Sequence, residues 1–368
     1  MSAVESGAVD VLPGEEPEGI RALLARFAAG SLQSFGVAFA LIAIFVVTGL
    51  HSHLFWSANN MRVLALNAAF VGLVGVGTAI LIITGNIDLS IGSMVGLTAV
   101  LAAIFALHMP VYLAFLLAIL CGGALGALNG LIVWNVSTSP LIITLGMLTL
   151  LRGVIYIVTK GSAITGMPAN FVSFGNSKLF GLETPVWIMI AAALLGFVFL
   201  TYTVTGRHVF AIGGNKEASR AAGVKIRRIV IGAFIANGLI VGLAGVLQAS
   251  FYGSPDPTFG NGFELQVITA VIVGGVSFQG GEGGILRAVL GALLIETVSG
   301  SVVSFGIDPN YANVFTGAIL IFAVSADQIL HRQRERFQKA MAMRERARSL
   351  AERRASRALE QADAPTGP

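Results

Sequence analysis

The chain has 368 residues, of which 55% are hydrophobic and only 11% charged, against about 25% charged in an average soluble domain. That balance cannot cover a water-facing surface, so a soluble enzyme or binding module is excluded and an all-α polytopic membrane protein is expected. The net charge is +4, and where the basic residues fall along the chain, rather than their sum, carries the information.

The first 20 residues carry Glu5, Asp10, Glu15, Glu16 and Glu18 and no base before Arg21. This is the reverse of a signal peptide's basic start, so the first span is expected to be retained. Residues 1–30 read as an acidic, mostly disordered cytoplasmic N-terminus, 31–330 as the transmembrane domain and 331–368 as a basic cytoplasmic tail. A spanning helix needs about 20 mainly apolar residues. Such stretches occur at 31–50, 63–84, 89–108, 110–134, 140–159, 185–204, 229–250, 285–305 and 312–330. A tenth, 265–278, is shorter and lies between Glu264 and the glycine run Gly280–Gly284, so it is either a short span or a re-entrant segment.

Positive residues set the topology. Residues 205–228 hold six Lys or Arg and residues 331–358 hold ten. Ten spans with the N-terminus inside put both clusters in the cytoplasm, whereas nine would expose the basic tail outside. The clusters are therefore read as topology signals, and no nucleic-acid partner is expected. The tail itself fits either a solvated extension or a helix lying on anionic lipid.

Glycine makes up 45 of the 368 residues, against about 7% on average. Many glycines recur three or four apart within spans, as at Gly122, Gly126 and Gly130 or Gly238, Gly242 and Gly245. Small residues at that spacing let helix backbones approach closely in lipid. Cys121 lies inside an apolar stretch and reads as a small buried hydrophobe.

Intramembrane polar groups are few, and each is costly. Asp88 lies in Gly85-Asn86-Ile87-Asp88-Leu89-Ser90-Ile91-Gly92, where two apolar runs meet with almost no loop. The backbone is expected to break there near membrane depth. Asp88 and Ser90 either cap the following helix or face the pathway. Arg152, the one base within a span, either snorkels or pairs with a carboxylate such as Asp88 or Glu296. Asn67, Asn129, Asn237, Gln248, Gln266 and Glu296 each read as an interhelical hydrogen-bonding group. The translocation-pathway candidates are Asn86, Asp88, Ser90, Asn129, Thr144, Arg152 and Glu264.

No phosphate loop, no nucleophile motif and no metal-spaced His or Cys cluster occurs. No catalytic residue, metal or cofactor is expected, and an ATPase driving this chain must be another subunit. The stretch Thr205 to Val224 then gains weight. Gly213-Gly214-Asn215 reads as a turn, followed by a short exposed helix with Glu217 and Arg220 and closed by Gly223. Its alternative is a charged loop that only sets topology.

Four segments together resemble the permease subunits of ATP-binding cassette importers for ribose, xylose, galactose and related sugars. They are Gly85–Gly92; Ser139-Pro140-Leu141-Ile142-Ile143-Thr144-Leu145-Gly146 with Arg152-Gly153; Gly206–Gly223; and Phe263-Glu264-Leu265 leading into Gly274–Gly281. The resemblance covers about residues 60–330. It implies about ten helices, a second permease subunit (the same chain or a related one), a cytoplasmic ATPase subunit, an extracytoplasmic solute-binding protein and a bacterial inner membrane. It also implies that Arg207, Gly213, Gly214, Asn215, Glu217, Arg220 and Gly223 form the ATPase-coupling loop. Arg287, after the glycine run, and the long tail depart from the family pattern. The rival is a secondary transporter driven by an ion gradient; the one internal repeat found, Thr78–Ile82 against Thr269–Val273, runs in the same direction and gives no inverted repeat.

Overall fold

The computed structural model describes residues 36–136, 138–329, 332, 333 and 343. The expected disordered N-terminus, most of the basic tail and five of the acidic residues that define the former lie outside the described residues. Each of the ten apolar stretches forms a helix. These are α1 (Gly36–His51), α2 (Ala58–Ile83), α3 (Ile91–Ala106), α4 (Val111–Val136), α5 (Pro140–Thr159), α7 (Thr184–Tyr202), α10 (Ile226–Tyr252), α11 (Phe263–Val273), α12 (Ile285–Ser304) and α13 (Tyr311–Ile329). Three short helices fill the connections: α6 (Ala169–Asn176), α8 (Val204–Gly214) and α9 (Lys216–Ala221). A two-residue hairpin, β1 (Lys178–Leu179) with β2 (Leu182–Glu183), is the only sheet among the described residues.

Seven of these helices are long and apolar enough to cross a membrane, while α1, α3 and α11 are shorter. α11 has 11 residues, or about 16 Å at the usual rise, half a hydrocarbon core. The short tenth segment is therefore a half-length helix that ends at Val273 on the glycine-rich run.

α2 is the centre of the bundle. From Ala68 to Ile83 every residue is buried, because α7, α10, α11 and α12 surround it. Glycine spacing decides the closest pair, α4 against α10. A Cβ on Gly126 would lie 2.2 Å from the carbonyl oxygen of Phe234, and one on Gly238 would lie 2.3 Å from that of Gly122. No side chain fits between these backbones, and dispersion contacts replace the hydrophobic drive that lipid does not supply.

At the α1 end of the bundle, Thr48 on α1 and Ser301 on α12 share a hydroxyl hydrogen bond of 2.7 Å. The second turn of α2 is tied to the start of α7 by an ion pair between Arg62 and the fully buried Glu183. The α6 segment is fastened to α10: Gly175 N–H donates to Ser250 Oγ at 2.7 Å and Asn176 Nδ2 to the Phe251 carbonyl at 3.0 Å.

Candidate functional site

The break expected near Asp88 is present. α2 unwinds through Thr84, whose hydroxyl donates to the Leu81 carbonyl at 2.6 Å. The chain then turns at Gly85, at a φ of +79° that favours glycine. Asn86 Nδ2 donates to Thr84 Oγ1 at 2.9 Å. α3 begins at Ile91, so seven residues separate two membrane helices.

Asp88 is completely buried. Its Oδ1 accepts from Ser90 N–H at 2.8 Å and from Ser90 Oγ at 2.6 Å, and its Oδ2 accepts from Asn129 Nδ2 on α4 at 3.3 Å. Asn129 Nδ2 also lies 2.9 Å from Ser90 Oγ. The capping alternative needs correction. Ser90 stands at the N-cap of α3 but its side chain makes no capping bond, and Asp88 closes a local turn on Ser90 instead of serving N–H groups inside the helix. Thr144 on α5 joins the same break, because its Oγ1 accepts from Leu89 N–H at 3.1 Å while donating to the Pro140 carbonyl at 2.9 Å. Ser93 Oγ donates to the Leu148 carbonyl at 2.9 Å. Thr144 of α5 thus satisfies backbone that a continuous helix would have satisfied itself, as irregular chain at membrane depth requires, while Asn129 of α4 ties down the side chains of Asp88 and Ser90. Asn129 Oδ1 is buried with no hydrogen-bond partner.

Arg152 pairs with neither Asp88 nor Glu296. Its Nη1 donates to the carbonyls of Phe259 at 2.8 Å and Pro257 at 3.2 Å, in the loop between α10 and α11. α3 reaches the same loop through its glycines. A Cβ on Gly92 would lie 2.0 Å from Glu264 Oε2, and one on Gly96 would lie 2.4 Å from the Phe259 carbonyl oxygen. The first two turns of α3 therefore touch the Asp88 network on one side and, on the other, Glu264 and the loop that Arg152 holds. Glu264 Oε2 is a buried acceptor with no hydrogen-bond partner.

Two polar residues of neighbouring helices are partners: half-buried Gln266 on α11 donates from Nε2 to buried Glu296 Oε1 on α12 at 2.5 Å. Thr78 likewise donates to Asn237 Oδ1 across α2 and α10 at 3.4 Å.

The connection from α7 to α10 differs from the expected turn. Gly213 and Gly214 are the last turn of α8, which contains Arg207. Asn215 follows as N-cap of α9, accepting from Ala218 N–H at 2.9 Å. Glu217 and Arg220 are exposed on α9 and form no ion pair with each other. Gly223, at a φ of +79°, ends the helix in the left-handed conformation expected there.

A bundle of closely packed apolar helices, broken at a buried polar network and carrying an exposed helical element between two spans, is that of a membrane transport conduit. Residues 60–324 match the family model described as branched-chain amino acid transport system / permease component, and the chain belongs to that family. It is 35% identical over 296 residues to the ribose import permease protein of Escherichia coli (strain K12), covering 78% of this chain and 92% of that one. It is 32% identical over 299 residues to the D-allose transport system permease protein of the same strain, covering 80% and 92%. An L-arabinose ABC transporter permease protein of Azospirillum brasilense is 33% identical over 301 residues, covering 81% and 88%. The chain is thus a multi-pass permease subunit of an ATP-binding cassette importer in a bacterial inner membrane; it is not itself an enzyme, and ATP hydrolysis belongs to a separate subunit.

Proposed function

We propose that this subunit carries a monosaccharide or a closely similar polyhydroxylated solute into the cell. The relatives named for ribose, allose and arabinose support that substrate class, and family membership favours it over an ion-gradient-driven carrier. On this reading residues 31–330 form the permease domain with ten spans, and the acidic first 30 residues and the basic residues 331–368 are cytoplasmic. Two permease subunits, the same or related, surround the pathway. A cytoplasmic ATPase and an extracytoplasmic solute-binding protein complete the importer.

The observation that carries the site assignment is the break between α2 and α3, where Asp88 and Ser90 meet Asn129 of α4 and Thr144 of α5. A solute rich in hydroxyl groups is bound by paired donors and acceptors of this kind. Asn86, Arg152 and Glu264 flank the first turns of α3 and extend the pathway surface. The loop from Arg207 through Gly213, Gly214, Asn215, Glu217, Arg220 to Gly223 faces the ATPase.

The test is uptake of radiolabelled ribose, allose and arabinose into proteoliposomes holding the permease with its ATPase and binding protein. Uptake of at least one sugar that stops on removal of ATP, of the ATPase or of the binding protein is the expected result. Uptake by the permease alone under an ion gradient would overturn the proposal.

A further inference from the structure

Three stretches far apart in sequence meet backbone to backbone beside the Asp88 break. The Gly281 N–H donates to the carbonyl of Ile83 at 2.9 Å, which serves one of the carbonyls left open where α2 ends. A Cβ on Gly213 would lie 1.9 Å from that same Ile83 oxygen and 2.3 Å from Gly281 N. A Cβ on Gly280 would lie 2.8 Å from Gly85 N, and one on Gly281 would lie 2.7 Å from Gly214 N. Gly280 and Gly281 hold φ values of +87° and +75°, which a side chain rarely adopts. The far side of the glycine-rich loop is clamped by Asp327 on α13, whose Oδ2 accepts from Ser277 Oγ and from Phe278 N–H, both at 3.1 Å.

We propose that this node fuses α8–α9, the end of α2 with its Asp88 break, and the α11–α12 loop into one moving unit, with Gly213 and Asp327 as positioning residues for ATP-driven transport. The proposal rests on reading α8–α9 as the ATPase-facing element. Its physical basis is the absence of any side chain between the three backbones. A flexible side chain would absorb part of a displacement of α8 by changing rotamer, whereas close-packed main chain passes it on. Ile83 is five residues from Asp88 and Gly213 is three from the start of α9, so a push on α9 reaches the break through one carbonyl oxygen. Asp327 keeps the Gly281 side of the node from retreating.

The experiment measures ATP hydrolysed per sugar imported by the reconstituted complex of permease, ATPase and binding protein. Gly213→Ala is expected to co-purify with the ATPase while that ratio rises about tenfold, within the 5–150-fold range of ordinary coupling between sites. Gly232→Ala, where nothing lies within 4 Å of the added methyl, is expected to leave the ratio within about twofold. Asp327→Ala removes the acceptor of two donors and is expected to raise the ratio, whereas Asp327→Asn keeps one acceptor oxygen for them and restores it. Should Gly213→Ala fail to assemble, the Asp327 pair decides. A wild-type ratio in Gly213→Ala or in Asp327→Ala overturns the node. A double variant, Glu217→Lys with Arg220→Glu, separates that outcome from failure of the underlying reading. If ATPase co-purification and import both survive it, α8–α9 is not the ATPase-facing element; if both fall while Gly213→Ala is normal, only the node is wrong.

Discussion

Replacing Gly126 by alanine tests whether backbone contact between α4 and α10 holds the bundle together. The added Cβ would stand 2.2 Å from the Phe234 carbonyl oxygen and 3.1 Å from the Gly238 Cα. Ordinary carbon–oxygen contact is about 1 Å longer than the first of these, so the helices must separate over much of their length. Overpacking of this kind costs about 1–3 kcal/mol, partly offset by about 0.5–1 kcal/mol from alanine's better helix propensity. The net expectation is a loss of about 0–2.5 kcal/mol, centred a little above 1, the two terms combined. Gly317→Ala on α13 supplies the opposite sign, because nothing lies within 4 Å of the methyl and only the propensity gain remains. Thermal unfolding of the two variants in one detergent at one heating rate, followed by loss of monodispersity, gives the comparison. Gly126→Ala is expected to unfold several degrees below wild type and Gly317→Ala at or slightly above it. Equal midpoints for the two variants would refute the close-contact argument, since propensity alone predicts a gain for both.

The Arg62–Glu183 pair gives a double-mutant cycle. Arg62→Gln leaves a fully buried carboxylate without its cation and should cost about 2–3 kcal/mol, below the 3–5 of a fully buried pair because the Arg62 side chain remains about one-third exposed. Adding Glu183→Gln should recover most of that loss, and additive effects of the two substitutions in thermal unfolding would rule the coupling out. At the break, Asp88→Ala strands the Ser90 N–H as a buried donor and removes the carboxylate to which Ser90 Oγ donates, while Asn129 Nδ2 keeps Ser90 Oγ as its acceptor, at about 1–3 kcal/mol for each donor left unsatisfied. Sugar uptake is expected to be lost, with Asp88→Asn keeping an acceptor for Ser90 and retaining more of it. Equal uptake in the two variants and wild type would remove Asp88 from the pathway.

The ten apolar stretches were legible because a face turned to lipid must be as apolar as one packed in the bundle, which leaves a continuous hydrophobic run that needs no knowledge of neighbours to detect. The break was legible for the converse reason, since Asp88 and Asn86 between two such runs have no place in an uninterrupted membrane helix. α8 was not. Its residues include Gly206, Gly213 and Gly214 and carry Arg207 and His208, a composition that local propensity assigns to a turn. Packing explains the outcome: Gly206 would clash with the Phe199 and Leu200 backbone, and Gly213 with Ile83, if either bore a side chain. These glycines mark close approach within a helix, and tertiary contact overrides their poor propensity. Arg152's partners were hidden differently. They are the carbonyls of Pro257 and Phe259, groups that every residue possesses, so no residue type in the α10–α11 loop points to them.

Both omissions have one physical root. In this fold the closest contacts around the α2–α3 break are made by main chain: Gly281 to Ile83, Gly213 against both, Gly92 and Gly96 against the loop that Arg152 holds. Side-chain chemistry is concentrated at Asp88, Ser90, Asn129 and Thr144, where irregular backbone must find partners in an apolar surround. If the break lines the proposed pathway, substituting one of its polar residues should change solute handling, whereas adding a methyl to a contact glycine should change how movement is passed between helices. The two classes of variant are separable by comparing the sugar concentration at half-maximal uptake with the ATP hydrolysed per sugar. The first class shifts the former and the second the latter, and a Gly213→Ala variant that altered only sugar affinity would contradict this division of labour.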